Sequence, residues 1–303
     1  MNAKSAVGPP GSGRCSSAAE APMTPAAAVW VDWVRHNPTM AAGGTLLLVM
    51  LAVAVLAPWL GTVDPLNINP MQRIQAPAAA YWFGTDMLGR DVYSRTLYGS
   101  RISLAVGLTV AALSTGLGLL IGVVAGSSRA LDTVVMRMMD GLMAIPAILL
   151  AVAITALSKA SLTSVIVALI VPEVPRVVRL VRSLVLSLRE QPYVEAADAL
   201  GASFWRVVFR HLLPNTLAPL IVQGTYICAS AVIFEAYLSF LGAGTPPEIP
   251  SWGNMMAEGR SYIQLGFWIV LFPGLALAVT VLGINLLGDG LRDTLDPRLR
   301  NRI

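Results

Sequence analysis

The residues able to do acid–base, nucleophilic or metal chemistry are few and far apart. Histidine occurs only at His36 and His211 and cysteine only at Cys15 and Cys228, too sparse for a metal site or a disulfide framework. No GxSxG or HExxH run is present, so neither a serine hydrolase nor a zinc protease is indicated. The stretch GPPGSGRCSS over 8–17 is glycine-rich, but Arg14 stands where a phosphate-binding loop requires lysine. Neither a strand before it nor a helix after it is predicted. There remains a set of polar residues in or beside apolar runs: Asp140, Glu173, Glu235 and Asn285. Ionisable groups at membrane depth are costly, and they commonly face a bundle interior or an aqueous path. Asp140 and Glu173 lie near the ends of their runs, where the headgroup region is the simpler placement. Glu235 stays open between the two readings.

These residues sit in a chain built for lipid. Of its 303 residues, 55% are hydrophobic and 13% charged, against about 25% charged in a soluble globular domain. A helix crossing about 30 Å of hydrocarbon needs roughly 20 apolar residues. Runs of that kind predict an all-α polytopic membrane bundle with six spans, over about 39–60, 102–126, 138–158, 161–182, 214–240 and 265–288. The fourth is interrupted by Glu173 and Arg176, and it spans only if Arg176, Arg179 and Arg182 reach toward one interface. Residues 1–35, rich in Ala, Gly, Ser and Pro, are predicted to be a disordered cytoplasmic extension. That leaves 36–303 as the membrane domain.

Charge sets the orientation. With the N-terminus inside, fifteen of the 21 Lys and Arg residues fall in cytoplasmic segments and six outside, the positive-inside bias. A five-span arrangement with the N-terminus outside satisfies the bias equally well, but it strands the apolar run SVIVALIV in water. Six spans with both termini cytoplasmic is therefore the expected topology. The same arginine distribution accounts for the net charge of +4 without a nucleic-acid partner. Gly118, Gly122 and Gly126 recur every fourth residue, a small-residue ridge for close packing inside the bundle. Pro146, Pro219 and Pro273 fall within spans and should kink or loosen them.

The most informative stretch lies between the fourth and fifth spans: EQPYVEAADALGASFWRVVFRHLLPN, Glu190 to Asn215. It predicts two short helices around a turn. Pro192 suits a first helical turn, Gly201 tolerates the positive φ of a terminator, and Ser203 can cap the second helix. On that helix Phe204, Val207, Val208, His211 and Leu212 form one apolar face, with Arg206 and Arg210 opposite and Pro214 as the end. A helical loop held at the membrane surface is suited to press on a partner or to rest on lipid. Periodicity does not choose between them.

Motif does. Glu195-Ala196-Ala197, Gly201 four residues beyond Ala197, and then Leu213-Pro214 resemble the EAA motif of binding-protein-dependent ABC importer permeases. Three further stretches are similar to the dipeptide, oligopeptide, glutathione and nickel permeases, closest to the second of their two permeases. These are WFGTDMLGRDVYSRTLYGSRISL (Trp82 to Leu104), EAYLSFLGAGTPPEIPSWGNMMAEGR (Glu235 to Arg260) and NLLGDGLRDTLDPRLR (Asn285 to Arg300). Tyr237 departs from the small residue usual there.

The resemblance implies a type I ABC importer permease fold in the bacterial inner membrane. It implies that loop 190–213 couples to cytoplasmic ATPases through Glu195, Ala196, Ala197, Gly201, Phe204, Arg206, His211, Leu213 and Pro214. The implied partners are a homologous second permease, two ATPases that hold ATP and Mg, and an extracytoplasmic solute-binding protein. No cofactor is expected on this chain, which is a transporter subunit and not an enzyme. Expected cargo is a dipeptide, oligopeptide or glutathione, with a nickel chelate as the alternative. A passive channel would have no use for the coupling loop.

Overall fold

The computed structural model describes residues 37–158 and 161–295. The expected disordered extension over 1–35 lies outside them, as do His36, Lys159, Arg298, Arg300 and Arg302. The described residues are helical, with no β-strand and only two isolated bridges, Ala78 to Tyr81 and Thr85 to Asp91.

Apolar runs form helices where expected, with boundaries shifted by local chemistry. Helix α1 covers Pro38–Leu56 and continues as a 3-10 turn to Trp59. Helix α2, Val92–Ser127, has 36 residues, or about 54 Å at 1.5 Å per residue, and so runs well past the expected 102–126. It starts early because the Asp91 carboxylate accepts from the Ser94 N–H at 2.9 Å and caps it. Helix α5 is Leu162–Arg189 and helix α10 is Trp268–Leu295.

Among the described residues, six unbroken apolar spans are not found. Four helical stretches are long and apolar enough to cross a membrane: Pro38–Trp59, Val92–Ser127, Phe204–Phe240 and Trp268–Leu295. The expected span 138–158 is instead two helices, α3 (Arg129–Met143) and α4 (Ala147–Leu157), bent by 86°. Pro146 sits at the joint. Helix α3 carries Arg129, Asp132, Arg137 and Asp140 along its length, a composition for an interface and not for hydrocarbon. Helix α5, the expected fourth span, is long enough at 28 residues but holds Glu173 and four arginines.

Three of those arginines are paired with carboxylates, not merely directed to an interface. Arg176 binds Glu173 at 3.1 Å, Arg179 binds Asp140 at 2.5 Å, and Arg182 grips Asp132 with both oxygens engaged. Asp140 is exposed, whereas Glu173 is buried. Glu235 is fully buried among hydroxyls, with Ser239 at 3.0 Å and Ser103 at 3.4 Å.

The bundle core is a seam between α2 and α5. A Cβ added to Gly118, Gly122 or Gly126 would fall 2.4, 2.7 and 2.9 Å from the Cβ of Val177, Val181 and Val185 respectively. The four-residue spacing of the glycines meets the four-residue spacing of the valines, so the ridge serves packing within the subunit.

One end of the bundle is closed by residues 60–91 together with helix α9, Trp252–Gly259. Asp86 binds Arg90 and Arg95, each at 2.6 Å, and Glu258 of α9 binds Arg95 at 2.8 Å. Trp252, fully buried, donates its indole N–H to the Thr96 carbonyl at 3.0 Å, and Trp268 donates to the Thr85 carbonyl at 3.1 Å. Gly89 (φ +74°) is required at its turn: a Cβ there would sit 1.8 Å from the Asn69 carbonyl oxygen. Two loops far apart in sequence thereby form one cap.

Candidate functional site

The segment 190–213 lies at the end of the bundle opposite that cap, between the C-terminus of α5 and the next membrane helix. Helix α6, Pro192–Ala199, opens with Pro192 in its first turn and is anchored by Val194, which is fully buried. Arg189 fixes its approach by donating to the Gly126 and Ser127 carbonyls at 3.3 and 3.0 Å, tying the ends of α5 and α2 together.

The turn after α6 is closed by paired backbone bonds. Ala202 N–H donates to the Ala197 carbonyl at 3.0 Å, and Gly201 N–H donates to the Asp198 carbonyl at 2.9 Å. This closure needs a left-handed residue between helix and exit, and Gly201 supplies it with φ +78°. No heavy atom lies within 4 Å of a Cβ built on Gly201, so the tip faces open space. Ala197 thus has a backbone role in the turn, while Glu195 and Ala196 are exposed. Glu195 lines a cleft of about 380 Å³ with Arg129, Asp132 and Arg189.

Beyond the turn, the short helix α7 (Phe204–Val207) passes through a π-helical turn, Val208–Leu212, into α8, Leu213–Phe240. Two expectations are corrected here. Ser203 stands at the N-cap position, but its side chain makes no capping hydrogen bond. Pro214 does not end the helix; it sits in the first turn of α8, where its missing N–H costs least. The wider π turn absorbs the proline, with Leu213 N–H reaching the Val208 carbonyl. The Asn215 side-chain amide serves the His211 carbonyl at 2.6 Å.

The buried face differs from the expected one at a single residue. Val207, Val208 and Leu212 are buried and His211 is half-buried, its ring 5.9 Å from that of Tyr193 on α6. Phe204 instead points outward and packs edge-on against Trp205, with ring centroids 5.3 Å apart. Trp205 in turn stacks on Phe209 at 5.9 Å. Trp205 and Phe209 are 62% and 61% exposed, and Leu200 at the tip is 89% exposed. Arg206 and Arg210 lie exposed among them. Leu213 is half-buried and Pro214 exposed.

Sequence reasoning missed Trp205, Phe209 and Leu200 as members of this surface. The signal is present in the residues: apolar side chains on both faces of a short helix mean that one face awaits a partner. An exposed patch of aromatic residues and arginine has the composition of a protein-docking surface core.

The described residues thus form a helical bundle of long apolar helices with an exposed helical turn at one end. Comparison with known proteins agrees. Residues 96–301 match the family described as binding-protein-dependent transport system inner membrane component. A probable peptide ABC transporter permease protein of Sinorhizobium fredii is 53% identical over 268 residues, covering 88% of this chain and 92% of the relative. A dipeptide transport system permease protein of Alkalihalophilus pseudofirmus is 41% identical over 88% of each chain. A glutathione transport system permease protein of Pectobacterium atrosepticum is 39% identical over 92% of this chain and 93% of its own. The chain belongs to the binding-protein-dependent transport system inner membrane component family. It is a multi-pass permease subunit of an ABC importer in the inner membrane, and it works with ATPase and other subunits.

Proposed function

We propose that this permease imports peptides or peptide-like solutes, and that segment 190–213 is where the ATPase pushes. The observation that carries the docking assignment is the turn at Gly201, which holds Leu200, Phe204, Trp205 and Phe209 together with Arg206 and Arg210 in open space. The end of the bundle bearing this turn is then cytoplasmic, along with both termini, and the cap of residues 60–91 and α9 faces the solute-binding protein.

Two cytoplasmic ATPases hold ATP and Mg, and a homologous second permease completes the path. ATP binding draws the ATPases together and displaces the docked turns. Because α7, the π turn and α8 form one helical rod from Phe204 to Phe240, displacement at the turn is passed directly into a membrane helix. The bundle thereby shifts between two states whose balance is biased by ATP below and loaded binding protein above.

Peptide cargo is supported by the relatives, whose names specify peptide, dipeptide and glutathione transport. A nickel chelate is the less favoured cargo. Uptake of labelled dipeptide, oligopeptide, glutathione and nickel by cells lacking this gene, complemented with wild type or Gly201→Trp, tests both parts. Loss of one peptide-class substrate, restored by wild type alone, supports the reading. Restoration of nickel uptake and none of the others would overturn the cargo assignment.

A further inference from the structure

A cavity of about 800 Å³ opens on the docking-turn half of the bundle, walled by α5, α8 and α10. Its α8 wall is a stripe of Asn215, Pro219, Val222, Gln223 and Tyr226, the spacing of a single helix face. Gln223 lies ten residues beyond Leu213, about 15 Å along the helix, well inside the apolar span. Its half-buried amide makes no hydrogen bond to any described residue. An unpaired amide facing hydrocarbon would be costly, so this face meets water or a polar solute. The other side of the same helix is apolar: Leu217 and Ile221 are exposed there, as a lipid-facing stripe should be.

Charge stands beside the stripe. Tyr226 donates its hydroxyl to Asp289 at 2.5 Å, with Arg292 in the cavity lining. The stripe itself offers neutral donors and acceptors at Asn215, Gln223 and Tyr226, in a lining that is otherwise mostly apolar. That chemistry matches the main-chain amides common to all peptides and is indifferent to their side chains.

We infer that this cavity is the wall this subunit contributes to the cargo path, and that Gln223 and Tyr226 hydrogen-bond the backbone of a passing peptide. The cargo class rests on the function proposed above; the placement of the path does not. The stripe begins at Asn215, directly after the π turn, so displacement of the docked turn moves the wall itself.

The test uses the assembled transporter in inverted membrane vesicles, with Cys15→Ser and Cys228→Ala as background. Single variants Gln223→Cys, Tyr226→Cys and Ile221→Cys are exposed to a membrane-impermeant sulfonated thiosulfonate reagent, with and without ATP. Gln223→Cys and Tyr226→Cys should react in one nucleotide state, and Ile221→Cys in neither. Equal reaction at Ile221→Cys, or no reaction at Gln223→Cys in either state, would overturn the path. Separately, Gln223→Leu should raise the KM for dipeptide roughly three- to tenfold, with kcat and ATPase stimulation retained. An unchanged KM alongside the expected labelling would overturn the hydrogen-bonding role. Absence of dipeptide uptake by the wild type would instead fall on the cargo assignment.

Discussion

Gly118 meets Val177 so closely that a Cβ built on the glycine would lie 2.4 Å from the Cβ of the valine. The same relationship repeats one turn on at Gly122 and Val181, and again at Gly126 and Val185. Two helices carrying the ends of the cap and the docking turn are thereby locked at close range. Gly118→Leu should therefore cost about 1–3 kcal/mol by overpacking, read as a lowered thermal midpoint in detergent. Val177→Ala, which vacates the contact, should recover part of that loss in the double variant. Additive losses would contradict the seam.

The cap presents a different kind of constraint. Asp86 is 1% exposed and is held by Arg90 and Arg95. Asp86→Ala leaves two buried guanidiniums with Glu258 as their remaining carboxylate, and breaking such a pair costs about 3–5 kcal/mol. The expected outcome is proteolysis within residues 60–91 in right-side-out membranes. By contrast Asp140→Asn removes an ion pair whose partners are both about half exposed, and it should change stability by less than about 1 kcal/mol.

At the docking turn, backbone and side-chain effects separate cleanly. A methyl group on Gly201 meets nothing within 4 Å, so Gly201→Ala should cost only the left-handed backbone, about 1–2 kcal/mol. Transport should be reduced but present. Gly201→Trp adds the same strain plus a bulky group on the docking tip, and uptake should vanish while the protein remains inserted. Equal transport by the two variants would contradict a docking role for the tip.

Much of this is legible from residues alone, for physical reasons that also mark the limits. A stretch of about 20 apolar residues has few soluble alternatives, so α1, α2, α8 and α10 are visible. Gly201 is legible because a helix stop of this kind demands positive φ. A kink at Pro146 is legible from the proline itself, but its 86° size is not, since uncharged residues 141–158 read as one run while the charged residues of α3 pull that half toward an interface. Nor can the meeting of Arg95 with Glu258 be seen, because nothing local links residues so distant in the chain. Trp205 and Phe209 escape a search for a single apolar face, because their helix has two.

The proposed docking of the 190–213 turn on the ATPase is the point on which the coupling mechanism depends, and photo-cross-linking tests that contact directly. A photoreactive phenylalanine analogue in place of Trp205, 62% exposed at the turn, should give an adduct with the ATPase subunit in intact membranes. The same analogue at Trp82, 60% exposed on the cap, should give none. An ATPase adduct from position 205 alone is the expected result. Adducts confined to lipid at position 205, in a transporter that still imports its cargo, would contradict docking through this turn.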